Sequence, residues 1–213
     1  MMCARPWACP TVKPSGFVVS ARPSMSAHPP TTAPSEWVLR GLRAFKPGQS
    51  VLDFACGSGR HAKAAAALGL KVSAVDRDAQ ALATIEAPVI CHVADLEAGV
   101  WLFAGERFDA VIVTNYLFRP RIDLLLDLVA PGGLLIYETF AQGHEAYGRP
   151  SNPAFLLQAG ELLRAADRAG LVVLAYEHGD LARPARVQRI LAARPPFDWA
   201  AHRLDRTGPG AAG

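Results

Sequence analysis

The run Val51-Leu-Asp-Phe-Ala-Cys-Gly-Ser-Gly59 sets an acid, a small-residue turn and two glycines at the end of an apolar stretch. An apolar strand that breaks into glycines and then into an alanine-rich helix leaves free backbone N–H groups facing the turn. Glycines let a ligand approach the main chain there, and the helix N-terminus favours electron-rich atoms. Nineteen residues beyond Gly57 stands Asp76, near the end of the apolar run Leu70 to Asp78. In a doubly wound sheet an acid at the tip of the second strand lies beside the glycine turn, where its carboxylate accepts both ribose hydroxyl protons of a nucleoside. The competing reading makes Asp76 the cap of the next helix, a task for which Asp78 is equally suited.

These residues need a scaffold, and the rest of the chain supplies one. Ser35 to Phe45 reads as a helix with Ser35 as its N-cap and one apolar stripe, Trp37, Val38, Leu42 and Phe45. Strands are expected at Val51 to Phe54, Leu70 to Asp78, Val89 to Val93, Phe108 to Thr114 and Leu134 to Phe140. A further pair lies at Leu171 to Asp180 and Ala185 to Pro195, the last antiparallel to its neighbour. Helices are expected at Asp78 to Ala87, Ile122 to Val129 and within Gln158 to Gly170. This rhythm specifies an α/β fold: a doubly wound, Rossmann-like, mostly parallel seven-stranded sheet with an antiparallel terminal strand and helices on both faces. The Pro, Ser, Ala and Thr-rich residues 1–34 are expected to be a flexible tail, residues 35–195 the folded domain and residues 196–213 a second flexible tail. Met25 is a candidate true start.

Composition narrows the classes. At 213 residues and 51% hydrophobic, the chain is long enough for one substantial core. No apolar stretch approaches the ~20 residues of a membrane span, and the first residues lack the continuous apolar region of a secretory signal. A cytoplasmic protein without a membrane partner is the expectation. Cys3, Cys9, Cys56 and Cys91 form no Cys-x-x-Cys pair, so no metal site is expected, and Cys56 reads as a small turn residue. The net charge of +3 is uneven. Residues 1–34 hold three basic residues and no acid, and residues 183–213 hold six arginines against Asp198 and Asp205. The mildly acidic body between them argues against a broad nucleic-acid surface, while the basic end keeps an RNA contact open. His92 reads as a packed residue of its strand.

The order of these motifs resembles the class I S-adenosylmethionine-dependent methyltransferases over about Trp37 to Arg194. The stretch YETFAQGHEAYGRPSNPAFLL, Tyr137 to Leu157, together with the short C-terminal region, is similar to that of the small bacterial tellurite-resistance-like subgroup. The resemblance implies S-adenosyl-L-methionine as cofactor. It casts Asp53 as the residue that helps place the methionine ammonium, Asp76 as the ribose acid, and Asp95 with Leu96 as readers of the adenine edge. Asn115 and Tyr116 match the fourth-strand tip beside the transferred methyl. Gly57, Gly59, Arg60 and Arg77, flanking the turn and the acid, complete the expected donor site. Ala55 departs from the pattern, which has glycine there.

Methyl transfer needs donor and nucleophile held in line, and some acceptors need a base. Tyr116, Glu138 and His144 are the catalytic candidates, with Tyr116 also suited to offer its ring face to a cationic methyl. Glu138 is equally readable as a buried hydrogen-bonded residue, and His144 as a solvated loop residue. Arg119, Glu145, Tyr147 and Arg149 are candidates for binding the substrate, the arginines as clamps for an anion. The expected acceptor is a small molecule, with RNA or protein acceptors open. Two other readings stand: an NAD(P)-dependent oxidoreductase, since Gly57 to Ala62 also fits G-x-G-x-x-A, and a nucleoside- or RNA-binding module without catalysis.

Overall fold

The computed structural model describes residues 32–202. The expected N-terminal tail and Met25 lie almost wholly outside the described residues. Seven strands form one sheet: β1 (Ser50–Phe54), β2 (Lys71–Asp76), β3 (Val89–Val93), β4 (Phe108–Thr114), β5 (Val129–Phe140), β6 (Val172–Leu181) and β7 (Ala185–Ala193). Their spatial order is β3-β2-β1-β4-β5-β7-β6, with β7 antiparallel to both of its neighbours. The parallel core is in tight register, with Val51 beside Val72 on one side and Ala110 on the other.

Alternation along β1 decides what faces what. Leu52 and Phe54 point into one core with α4 (Ile122–Leu126) and α5 (Glu161–Arg168), built on Val111, Val113, Leu135 and Ile190. Val51 lies in the other, with α1 (Glu36–Leu42), α2 (Arg60–Ala67) and α3 (Ala79–Ala83), where Trp37, Val38, Ala62 and Leu82 pack on Ile112 and Ile136. Asp53 shares the phase of Val51 and is wholly buried on the α2 face.

Local chemistry sets the element starts. Ser35 caps α1, its side chain accepting from the Trp37 N–H, and Asp78 caps α3 by accepting from Gln80 and Ala81. Several expected boundaries are corrected. α3 ends at Ala83 rather than reaching Ala87, and α4 ends at Leu126 after a 3-10 turn, Arg119–Arg121. The fifth strand, expected from Leu134, starts at Val129, and Ala130–Gly133 is a bulge within β5: Phe108 pairs with Val129, and Ala110 then pairs with Leu134. The expected tail beyond residue 195 remains packed at its start. Phe197 lies against the α1 side of the core and within 4.7 Å of the Trp199 ring, since an aromatic pair outweighs the polar composition around it. Residues 203–213 lie outside the described residues. Among the described residues no helix is long and apolar enough to cross a membrane.

Candidate functional site

The site forms where β1 and β2 end together. Asp76 turns its carboxylate back to the glycine turn, accepting the Gly57 N–H at 2.8 Å on one oxygen and the Asp78 N–H at 2.9 Å on the other. Asp78, and not Asp76, takes the helix-capping role. Gly57 and Gly59 lie at φ 55° and 68°, and the space where a Gly57 side chain would start is open to 4 Å. Ala55, at φ 56°, adopts the same left-handed backbone without the freedom of glycine.

Beneath the turn, Asp53 accepts the Ala62 N–H on Oδ2 at 2.8 Å, and no donor among the described residues reaches Oδ1. Burial pushes its carboxyl up to about 7, with a small further push from Asp76, against the Ala62 N–H and Arg60. Arg60, first residue of α2, is half-buried and reaches the Ala33 carbonyl at 3.3 Å. The next residue, His61, is 1% exposed and pushed down to about 3 by burial and by Arg60. Its Nε2 accepts the Ser35 N–H at 3.1 Å, which leaves Nδ1 to donate to Thr114 Oγ1 at 3.3 Å. His61 and Asp53 therefore pull stability in opposite directions with pH. The unfolded chain binds a proton at His61 below about 6.5, and the folded one does not. The folded chain keeps a proton on Asp53 up to about 7, and the unfolded one loses it above about 3.8.

The tips of the remaining strands complete the rim. Ala94 donates to the Asp76 carbonyl at 3.0 Å, drawing the β3 end against β2. Asp95 beyond it is exposed and accepts from Glu97 N–H at 2.9 Å, while Leu96 is buried. Arg77 is exposed beside Asp76. At the β4 tip Asn115, at φ 54°, donates its N–H to the Glu138 carbonyl. Tyr116 stands edge-on to Phe54 at 5.5 Å between centroids, and Trp101 meets the same ring at 5.8 Å. Burial, more than its neighbour Glu97, pushes the Tyr116 phenol up. A proton is hard to remove from it, so its ring rather than its oxygen is the useful part.

Comparison with known proteins places this geometry. Residues 51–133, from the first strand to the bulge in β5, match the family described as Methyltransferase domain. Over that stretch the chain is similar to methyltransferase domains. Ribosomal protein L11 methyltransferase of Methylococcus capsulatus is 35% identical over 147 residues, 62% of this chain and 49% of that protein. The chain thus spans about half the length of such a relative. Among solved structures, TehB from Haemophilus influenzae superposes with a TM-score of 0.62 at 19% identity, over 77% of this chain and 63% of TehB. N-methyltransferase NodS from Bradyrhizobium japonicum gives 0.56 at 16%, over 74% and 93%. At those identities the likeness is one of fold.

Several residues expected at the acceptor side have other partners in this fold. His144 is not solvated: it is fully buried against Phe140, Nδ1 accepts the Arg186 N–H at 3.3 Å, and Nε2 meets the Arg149 carbonyl at 3.1 Å. Both ring nitrogens are committed, so neither is available to a substrate proton. Arg119 is not an anion clamp. It grips Glu161 with two nitrogens and spends its remaining donors on the carbonyls of Ala154 and Leu156, tying the long loop to α5. Glu145 turns back on the Gly143 N–H, and Tyr147 bonds Asp180. Arg149 is exposed, with its carbonyl on His144.

Glu138 is 2% exposed, with Ser35 Oγ at 3.2 Å from both its oxygens, Arg189 at 3.4 Å and Arg183 at 3.9 Å. It sits opposite Thr114 at the adjoining strand tips. Sequence reasoning missed Ser35, His61 and Thr114, which join it in a chain of polar contacts spanning α1, α2, β4 and β5. Adjacency of Arg60-His61 to the glycine turn was the available signal for His61. Among the described residues, arginines of the basic end are tied into the fold: Arg186 pairs with Asp180, Arg189 with Glu177, and Arg194 bonds the carbonyls of Leu126, Val129 and Ala169. Among the described residues no cluster of three or more His, Cys, Asp or Glu suits a metal ion. A cavity of about 810 Å³ lies at the opposite end of the strands, beside Phe45, Pro47, Gly132 and Phe197, away from these groups.

Proposed function

We propose that the chain is an S-adenosylmethionine-dependent methyltransferase acting on a small molecule in the cytoplasm. The observation that carries this reading is Asp76 closing on the Gly57 N–H beneath an open turn, with the orphaned Asp53 oxygen alongside. Those carboxylates suit a ligand with ribose hydroxyls to donate and a cationic group beyond them. When bound, S-adenosylmethionine supplies a methyl group already activated toward nucleophiles.

The chain's own residues then have to bind, orient and exclude water. Asp76 takes the ribose hydroxyls, and Asp95 with Leu96 borders the adenine. Gly57, Gly59, Arg60 and Arg77 frame the middle. Asn115 and Tyr116 define the point from which the acceptor approaches, with Phe54 and Trp101 as apolar wall behind Tyr116. Holding two reactants in line is worth ~7–11 kcal/mol, enough for an acceptor whose nucleophile needs no base. Where a base is needed, Glu138 is the carboxyl best placed, near the β4 and β5 tips. The arginine pairing beyond residue 183 favours a compact acceptor over RNA. Free Cys56 and Cys91 accord with a reducing compartment.

Calorimetric titration with S-adenosylmethionine and S-adenosylhomocysteine tests the reading, and absence of binding at millimolar ligand refutes it. Labelled donor incubated with fractionated cell extract then reports the acceptor. Label entering metabolites supports a small molecule, and label entering protein supports the acceptor class named for the ribosomal protein L11 methyltransferases.

A further inference from the structure

The two edges of the sheet are finished differently. β6 ends one side with exposed Glu177, His178 and Asp180, the kind of charge that keeps an open strand from pairing with another chain. β3 ends the other side as Val89-Ile-Cys-His-Val93, without a charged residue. Ile90 is 65% exposed and Val93 63%, with exposed Cys91 between them. Among the described residues no strand lies beyond β3. The apolar surface continues past the strand, since the His92 ring meets Phe103 edge-on, and Val100 and Leu102, just before that phenylalanine, are exposed too. Backbone direction decides which groups still need a partner. The Ala94 N–H points inward to the Asp76 carbonyl, and the polar groups of a strand alternate sides. Ile90 and His92 therefore also face β2, while Cys91 and Val93 turn N–H and C=O outward. Val89 turns out its C=O, its own N–H being held by the Ala87 carbonyl at 2.7 Å.

We propose that β3 is a dimer edge: two copies of this chain pair antiparallel through Val89–Val93 about a two-fold axis at Cys91, joining their sheets into one. The strand suits itself as a partner because its side chains are nearly palindromic about Cys91. The axis sets Val89 against Val93, Ile90 against His92 and Cys91 against its own copy. Cys91 then exchanges both main-chain hydrogen bonds with its twin, and each Val93 N–H meets the partner's Val89 carbonyl. Slipping the register by one residue would set outward groups against inward ones, and slipping it by two would shorten the overlap. A two-fold edge closes once two copies have met, so it needs no charge to stop further growth. Two five-residue strands, with Val100 and Leu102 beside them, fall below the ~1,200 Å² of standard interfaces. The dimer is therefore a weak one, with dissociation in the micromolar range.

Sedimentation velocity of the full chain across the micromolar range tests this, with a reversible monomer–dimer equilibrium and no larger species expected. Val93→Lys, which brings a charge to the bare edge, should weaken the dimer by about tenfold or more and leave the urea midpoint of the monomer unchanged. Val173→Lys, on the β6 edge, should leave the dimer intact. A short bis-maleimide applied to the Cys3→Ser, Cys9→Ser double variant should link two copies through Cys91, since Cys56 is buried, and adding Cys91→Ser should abolish the linked band. A chain that stays monomeric throughout overturns the proposal, whether the edge is bare or taken by another protein. So do a dimer indifferent to Val93→Lys, a dimer broken by Val173→Lys, and a linked band that survives Cys91→Ser. Should Val93→Lys not fold, the crosslink on the unaltered strand still decides, because a dimer without a Cys91 link overturns the pairing.

Discussion

Two glycines in one turn share a backbone conformation and differ in surroundings, which separates steric from conformational cost. Gly57 and Gly59 lie at φ 55° and 68°. A side chain there costs about 1–2 kcal/mol, offset by about 0.4–1 kcal/mol from a stiffer unfolded chain. Gly57→Ala meets nothing within 4 Å, so it should lose only about 0.5–1 kcal/mol in urea unfolding at unchanged m-value. Gly59→Ala carries the same strain and also drives a methyl against Ile85, with Cγ1 at 2.8 Å and Cδ1 closer. Overpacking adds about 1–3 kcal/mol, for a loss of about 2–4 kcal/mol. In a double-mutant cycle with Ile85→Ala, that steric part should reappear as coupling of about 1–3 kcal/mol. Binding should reverse the ranking. The Gly57→Ala methyl projects into the open turn and should weaken S-adenosylhomocysteine at least tenfold, whereas Gly59→Ala places its methyl on the α3 side. A Gly57→Ala variant as destabilised as Gly59→Ala, with donor-analogue affinity intact, would refute both the steric analysis and the location of the pocket.

Asp76→Ala should weaken S-adenosylhomocysteine by about 10- to 100-fold, the loss of about 1.5–3 kcal/mol expected for hydrogen bonds to a charged group; unchanged calorimetric affinity would remove the residue from the site. Arg119→Lys, which cannot span Glu161 and both loop carbonyls, should cost about 1–2 kcal/mol in urea unfolding, and unchanged stability would refute its role in tying the loop to α5. His61 gives stability that is full above about pH 6.5 and lost as pH falls toward 3, and Asp53 gives stability that is full below about 3.8 and lost as pH rises to 7. The two slopes, about 1.4 kcal/mol per pH unit each, oppose between pH 4 and 6.5, so urea unfolding of His61→Gln should show stability falling with rising pH there and Asp53→Asn should show it rising; slopes of one sign in both variants would refute the linkage.

The donor half of the site was legible because its parts are local in sequence and backbone-driven. An apolar strand, glycines able to take positive φ and an acid nineteen residues on leave few ways to fold, and β1, the turn, α2 and β2 fall where those residues put them. Ser35 and Asp78 were readable as caps for the same reason, since a cap acts on the next two or three residues. The bulge of Ala130–Gly133 was not readable as part of a strand, because its composition is that of a turn and only pairing with β4 on both sides makes it β-structure.

The acceptor half is held by pairs that no window of the sequence contains: Ser35 with Glu138, His61 with Thr114, Arg119 with Glu161 and His144 with Arg186. Each long-range partner converts a residue that looks chemically available into one that is occupied. His144 lost its candidacy to a backbone N–H 42 residues away, and Arg119 to a carboxylate at the same separation. Glu138 is itself occupied, by Ser35, Arg183 and Arg189 at the strand tips, so acting as a base would require it to give up those partners. The glycine turn and Asp76 therefore come from one contiguous segment, whereas the surroundings of the β4 and β5 tips depend on how α1, the loop after β5 and the β6–β7 pair come together. A change at His61 or Ser35 should accordingly disturb the acceptor side more than donor affinity, although both residues touch elements that frame the donor.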